Sequence, residues 1–234
     1  GMVHIKNGPG YSPQQTLDYA MQDVERLQVG GIDGLLFENW GREYDRSYIT
    51  TNEVLQISSV LRAATEITKL PFGINVLPLD LNADNRLAAS YGAKFVHIDT
   101  FVDAVKTDYK NGFVIRPNAN TIRLVLEPYA LMVNIQTKHY RTLPHNKKLE
   151  TSARQAVEAD ADAVVVTGML TGKKPSKIKI ERVRRVVEDN FPIWQGSGAD
   201  EFNVAETCQL VDGIIIGTSL KKDGITENPV DLDR

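Results

Sequence analysis

Apolar positions along the chain follow two periods. Short continuous apolar runs recur after a small turn of Gly, Ala or Asp, and a stretch with helical spacing precedes each run. The pattern is seen in Val29-Gly-Gly-Ile-Asp-Gly-Leu-Leu-Phe37 and in Tyr91-Gly-Ala-Lys-Phe-Val-His-Ile98. It returns in Ala159-Asp-Ala-Asp-Ala-Val-Val-Val166 and in Leu210-Val-Asp-Gly-Ile-Ile-Ile-Gly217. Runs of this length fit strands buried on both faces, as in parallel sheets. Eight strands are predicted, at 2–5, 34–37, 72–76, 95–98, 131–135, 163–166, 193–195 and 213–216.

Helix signals fall between them. Ser12 offers an N-cap, Pro13 a first helical position and Gln15 a capping box, and Gly30-Gly31 supplies the stop. From Thr51 to Thr68, the apolar positions Val54, Ile57, Leu61 and Ala64 have the spacing of one helix face. Residues 149–159, 178–187 and 202–210 read as further helices. Strands alternating with helices are βα units. The expected fold is α/β, a single (β/α)8 TIM barrel over residues 1–234 with a short or missing final helix. A doubly wound open sheet is the alternative.

Composition narrows the function classes. The chain has 234 residues, 42% hydrophobic and 24% charged, with a formal net charge of −3. That is globular, and the charge balance argues against nucleic-acid binding. The lone Cys208 excludes an internal disulfide framework. No run of 18 apolar residues occurs, so no membrane insertion is expected. The start has no basic and apolar leader pattern, and the expected localisation is cytoplasmic.

In a barrel, the C-terminal strand ends build the site. Gly196, Ser197 and Gly198 follow the seventh predicted strand, and Gly217, Thr218 and Ser219 follow the eighth. Small residues bring backbone N–H groups close to an anion, and these two loops are the recurrent phosphate site of such barrels. The alternative is that the glycines only make tight turns. Glu38 ends the second strand and Asp99 the fourth. A carboxylate in a water-poor pocket is a natural general base, and an ion pair or a loop hydrogen bond is the plain alternative for each. Asn75, Lys138 and His139 are candidates to orient a substrate or stabilise charge, and His4, Thr167 and Gly168 line other strand ends. No His-x-x-x-His spacing occurs, so neither a metal nor another cofactor is expected. The run from Lys173 to Arg185 holds seven basic residues against Glu181 and reads as a solvated helix face.

These segments resemble the BtpA/SgcQ family of predicted (β/α)8-barrel proteins. The residues carrying the resemblance begin with Gly1-Met-Val-His4, Glu38-Asn39, Gly73-Ile-Asn-Val76 and Thr107-Asp108. They continue with Lys138-His139, Val166-Thr-Gly168, Thr171-Gly172 and Gly196-Ser-Gly198. The most specific is Gly217-Thr-Ser-Leu-Lys-Lys-Asp-Gly224, followed by Asn228-Pro-Val-Asp231. The chain departs from the pattern at Lys6-Asn7-Gly8, where the family has an apolar, Pro-rich stretch, and lacks the family's final helix. The resemblance implies a barrel. Family members carry names linked to photosystem I biogenesis, a nucleosidase and phosphoribosylanthranilate isomerase.

The expected function is an enzyme acting on a small phosphorylated metabolite, a sugar phosphate or phosphoribosyl compound, by isomerase, lyase or nucleosidase-like chemistry. The alternative is a non-catalytic assembly factor of the BtpA type, docking through the basic stretch. A homo-oligomer is expected, because a missing final helix exposes apolar surface.

Overall fold

The computed structural model describes residues 1–8, 10–40, 48–108 and 112–234. In chain order, the elements begin β1 (Met2–Lys6), α1 (Pro13–Val29), β2 (Leu35–Trp40), α2 (Thr51–Ile67), β3 (Phe72–Asn75), α3 (Leu81–Tyr91) and β4 (Phe95–Ile98). Next come β5 (Ala104–Thr107), β6 (Val114–Ile115), α4 (Ala119–Val125), β7 (Ala130–Asn134), β8 (Tyr140–Leu143) and α5 (Leu149–Glu158). The last are β9 (Ala163–Val166), α6 (Lys177–Arg184), β10 (Ile193–Gln195), α7 (Val204–Thr207) and β11 (Gly213–Ile214). Two 3-10 turns follow, Thr218–Leu220 and Lys222–Gly224.

The main sheet has eight strands in the order β1-β2-β3-β4-β7-β9-β10-β11. Neighbouring strands follow each other along the chain, with helical connections, which is the order of a (β/α)8 barrel. All eight predicted strands are present. The sequence pattern did not reveal a second, antiparallel sheet, β6-β5-β8. Its strands fall in the segments between β4 and β7 and between β7 and β9.

The chain divides into two compact units. The first comprises Gly1–Val96 and Gly217–Arg234. Its helix α1 starts as the sequence predicts. Ser12 accepts from the Gln15 N–H, and the Gln15 side chain returns to the Ser12 N–H, so two orphan donors are satisfied. Thr50 and Glu53 repeat the device at α2, and Asp80 caps α3 through the Ala83 N–H. The outward faces of the strands are dry: Val3, Phe37 and Ile74 are at most 1% exposed. Each such side chain contributes roughly 1.5–3 kcal/mol by leaving water. Gly73 is required by packing, because a Cβ there would lie 2.2 Å from the Phe95 ring.

In this unit the C-terminal segment packs against α1. Lys221 and Asp23 form an ion pair in which neither side chain is more than 2% exposed. The other Asp23 oxygen accepts from the Val230 N–H at 2.7 Å. Arg26 donates to the Val230 carbonyl, and Lys221 bridges to Val230 in antiparallel register. The motif pair 217–224 and 228–231 is thereby fastened to α1.

The second unit comprises His97–Ile216. Its centre is β7, β9 and β10, with Val133, Val164, Val165, Val166 and Ile193 fully buried. Buried Asp103 holds the segment after β8 in place: it pairs with Lys147 at 2.6 Å and accepts from Ser152 at 2.7 Å.

Candidate functional site

Each unit gathers polar side chains at the C-terminal ends of its strands. In the first unit the strand register carries the argument. His4 lies opposite Glu38, and Glu38 opposite Asn75. Partners in a parallel ladder project to the same face, so these three form one row across β1, β2 and β3. His4 and Asn75 are buried, and Glu38 is half-buried. The His4 ring meets Trp40 edge-on at 5.8 Å. Asn39 faces the other way and clamps Leu77, donating to its carbonyl at 3.1 Å and accepting from its N–H at 2.6 Å. It fixes the backbone just after β3, which leaves Glu38 as the candidate for chemistry at this strand end.

Gly217 approaches β1. A Cβ there would lie 3.1 Å from the Met2 Cβ and 3.5 Å from His4 Cε1. Thr218 Oγ1 shares a hydrogen bond with Thr226 Oγ1 at 2.9 Å, inside the C-terminal segment. Lys6, at the end of β1, is 3% exposed. It donates to the Glu227 carbonyl at 2.5 Å and lies 4.1 Å from the centre of the Tyr19 ring. Burial pushes its pKa below the usual lysine value, with the Asp23 carboxylate opposing and Lys221 adding to the depression.

The second unit holds the denser cluster. Asp99, just past β4, accepts from the Asn134 amide at 2.8 Å, and its backbone carbonyl accepts from the Thr137 hydroxyl at 2.8 Å. The Lys138 N–H donates to Thr167 Oγ1 at 3.3 Å. His139 adopts φ +67° and its Nε2 lies 3.1 Å from Thr171 Oγ1. His97, on β4, is 5% exposed. Burial lowers its pKa, with Asp99 and the Asn134 amide favouring the protonated ring and Lys138 opposing it. Partial desolvation of the exposed His139 ring by its neighbours lowers its pKa too, reinforced by Lys138 and resisted by Asp99 and Asp108. Both rings are therefore mostly neutral at pH 7 and able to accept a proton.

The glycine loops of this unit have a specific packing role. A Cβ on Gly168 would lie 1.9 Å from the Lys173 carbonyl oxygen. A Cβ on Gly198, which has φ +73°, would lie 2.0 Å from the Lys174 nitrogen. The backbone approaching these glycines is the chain's own. The Ser197 hydroxyl bridges the same contact, accepting from the Gly168 N–H at 3.1 Å and donating to the Lys173 carbonyl at 2.9 Å. Gly196 faces Val165 and Thr167, where a Cβ would lie 2.7 and 2.9 Å from their methyl groups.

The basic stretch is largely neutralised. Arg182 makes a two-pronged pair with Glu150 at 2.6 and 2.9 Å, and Arg184 reaches Asp212 at 2.5 Å. Lys174 lies 3.6 Å from Glu206. Lys179 turns inward and donates to the Thr167 carbonyl at 2.8 Å, and burial lowers its pKa. So the stretch is not a uniformly solvated face: much of it ties α6 to its neighbours.

Sequence reasoning missed His97, Asn134 and Lys179. His97 sits inside an apolar run, but it is two residues before Asp99, so period-two alternation puts both on one face. Among the described residues no group of three or more His, Cys, Asp or Glu is placed to hold a metal ion. No helix among them is long and apolar enough to cross a membrane.

The BtpA family model matches residues 1–234. A relative named photosystem I biogenesis protein BtpA, from Synechocystis sp., is 26% identical, covering 99% of this chain and 83% of its own. A second, the putative sgc region protein SgcQ of Escherichia coli, is 27% identical, covering 100% and 89%. Among solved structures, a phosphoribosyl anthranilate isomerase from Thermus thermophilus superposes with a TM-score of 0.61 at 10% identity, covering 91% of this chain and 88% of its own. At that identity the likeness is one of fold.

Proposed function

The chain belongs to the BtpA family, and from that premise we propose that it is an enzyme acting on a small phosphorylated metabolite, a sugar phosphate or phosphoribosyl compound, by proton transfer. The observation that carries the reading is the cluster of Asp99, Asn134, His97, Lys138 and His139 at adjoining strand ends of one unit. Structural ion pairs alone have little use for two neutral imidazoles beside a carboxylate and an ammonium. The fold likeness to an enzyme whose name specifies a phosphoribosyl substrate supports the same class by analogy.

The proposed roles follow from the geometry. Asp99 is held by the Asn134 amide and is a proton acceptor. His139 is exposed and anchored to Thr171, and its lowered pKa keeps the ring mostly neutral, suited to shuttling a proton. Lys138 would stabilise negative charge developing on the substrate. Glu38 is the corresponding proton-transfer candidate of the first unit, flanked in register by His4 and Asn75. Each unit offers its own candidate phosphate loop: the backbone N–H groups of Ser197 and Gly198 in one, where the Gly196 N–H already donates to the Val166 carbonyl at 3.0 Å, and separately those of Gly217, Thr218 and Ser219 in the other. Thr167 and Gly168 belong to the wall that positions the first of these loops. Hydroxyls contribute less than expected, since Ser197 and Thr218 already bond within the protein. The reaction would be an isomerisation, a lyase step or a glycosidic cleavage, run in the cytoplasm by a homo-oligomer and without a metal or organic cofactor.

Asp99→Asn and Glu38→Gln test this directly. Each should abolish turnover of the phosphorylated substrate while leaving the melting temperature and phosphate affinity unchanged. Full turnover in either variant removes that residue from the mechanism.

A second reading, an assembly factor, is favoured by the name of the Synechocystis relative. The ion pairs of Arg182 and Arg184 count against the docking face it was expected to use. Charge reversal at those positions should disturb the contacts of α6 before it disturbs a partner.

A further inference from the structure

The loops after β9 and β10 leave neighbouring parallel strands at the same end of the sheet and lie against each other. The Ser197 hydroxyl joins them, and the backbone of Lys173 and Lys174 packs on Gly168 and Gly198. On this fixed support stand the two most exposed large apolar side chains among the described residues, Met169 at 89% and Phe202 at 90%. Leu170 follows at 58%, and Ile178 in the first turn of α6 at 68%. A single apolar side chain on a surface means little, but four at one strand-end face, raised on fixed loops, form a patch of the kind that a partner covers. The charges beside the patch indicate which partner. The loop after β9 contributes the exposed Lys173 and Lys174, and the segment after β10 contributes the exposed Glu201 and Glu206. Lys174 and Glu206 meet at the seam at 3.6 Å, whereas Lys173 and Glu201 make no ion pair with any described residue. One half of the face is therefore basic and the other acidic.

We propose that this face is the interface through which two copies of the chain associate about a two-fold axis. Such an axis brings a patch onto itself, so the patch must complement itself in charge. With the axis through the apolar centre, the basic half of one protomer lies on the acidic half of its partner, and Lys173 of each faces Glu201 of the other. A partner of one sign, an anionic lipid surface included, would meet like charge on one half. Met169 and Phe202 are the anchors. The loops that carry them are already held together, so little order is lost on association. The interface lies beside the strand-end cluster, because the same loop carries Thr171, whose Oγ1 is 3.1 Å from His139 Nε2. The inference does not depend on the phosphorylated-ligand reading.

The test is sedimentation velocity over a concentration series, on the wild type, Phe202→Glu, Lys173→Glu, Glu201→Lys and the double charge reversal Lys173→Glu with Glu201→Lys. The wild type should form a dimer with a dissociation constant in the micromolar range or tighter. Phe202→Glu should weaken the dimer at least about 30-fold, the loss that marks an interface anchor. Its melting temperature as a monomer should not change, because the side chain is exposed there. Each single reversal should weaken the dimer about tenfold, since two facing pairs then repel. The double reversal should restore it, because both halves have exchanged sign. A wild type that stays monomeric at about 100 μM overturns the proposal. So does an oligomer that Phe202→Glu leaves intact, which places the contact on another face. A monomer that sediments with anionic phospholipid vesicles gives the face to a lipid surface and overturns the proposal as well. Single reversals that weaken the dimer without rescue by the double overturn the two-fold pairing.

Discussion

The pairing of Lys221 with Asp23 offers a quantitative test of how the C-terminal segment is held. Lys221→Met removes the ammonium and leaves its shape. The Asp23 side chain, 2% exposed, is then a buried carboxylate whose direct partner among the described residues is the Val230 N–H. Breaking a buried pair from one side costs about 3–5 kcal/mol. The lower end applies, because the Lys6 ammonium also acts on Asp23 and replaces part of the attraction. For a chain of this size about 3 kcal/mol corresponds to a melting temperature lower by roughly 6–12 °C. The double variant Asp23→Leu with Lys221→Met removes both charges. Its main loss is the acceptor for the Val230 N–H, about 1–3 kcal/mol. The double variant should therefore be more stable than the single one. Urea unfolding followed by circular dichroism, run on all four members of the cycle, measures this. A Lys221→Met midpoint within about 1 kcal/mol of wild type, or a double variant less stable than the single, would refute the reasoning.

Other predictions follow from the same structure. Gly198→Ala combines a left-handed φ of +73° with a Cβ 2.0 Å from the Lys174 nitrogen. It should cost about 2–5 kcal/mol from backbone strain and overpacking together, and an unchanged melting temperature would show that the loop yields freely. His97 has its pKa lowered in the folded protein by burial. The unfolded chain then binds more protons below the ordinary histidine value of 6.5, so stability should fall as pH drops through and below 6.5. His97→Gln should flatten that part of the stability curve, and an identical acid dependence in wild type and variant would mean that other groups set it.

Much of the architecture was legible because it rests on local pattern. The strand 163–166 is four apolar residues bounded by Asp162 and Thr167, which cannot be a surface element. Ser12 to Gln15 specified the start of α1 by chemistry that acts within four residues. The antiparallel sheet was not legible. Tyr140–Leu143 pairs with Ala104–Thr107 far along the chain, and Val114–Ile115 is too short to carry a period. Helix α3, Leu81–Tyr91, was not predicted: it is rich in Ala, Asn and Asp and has little apolar periodicity, and only its Asp80 cap and Gly92 stop mark it.

The candidate site was half legible, for a physical reason. Strand-end carboxylates such as Glu38 and Asp99 are visible once strands are placed. A glycine, in contrast, records only that some backbone comes close. Gly168 and Gly198 meet Lys173 and Lys174 of the same chain, and no sequence pattern distinguishes that from an approaching anion. Likewise Lys179 lies in a basic run like its neighbours, yet it alone turns to the Thr167 carbonyl. The C-terminal motif was recognised before its purpose was apparent: Lys221 and Val230 are there to meet Asp23 of α1.

The central claim is that a phosphorylated small molecule binds this barrel. The most direct measurement is a thermal-shift screen of the wild-type protein against inorganic phosphate, ribose 5-phosphate, other sugar phosphates and nucleotides. A ligand present at about 100 times its dissociation constant stabilises by about 2.7 kcal/mol. At this chain length that raises the melting temperature by roughly 5–10 °C. The account predicts such a shift for at least one sugar phosphate, larger than the shift with inorganic phosphate. No shift with any phosphorylated compound at millimolar concentration would contradict it.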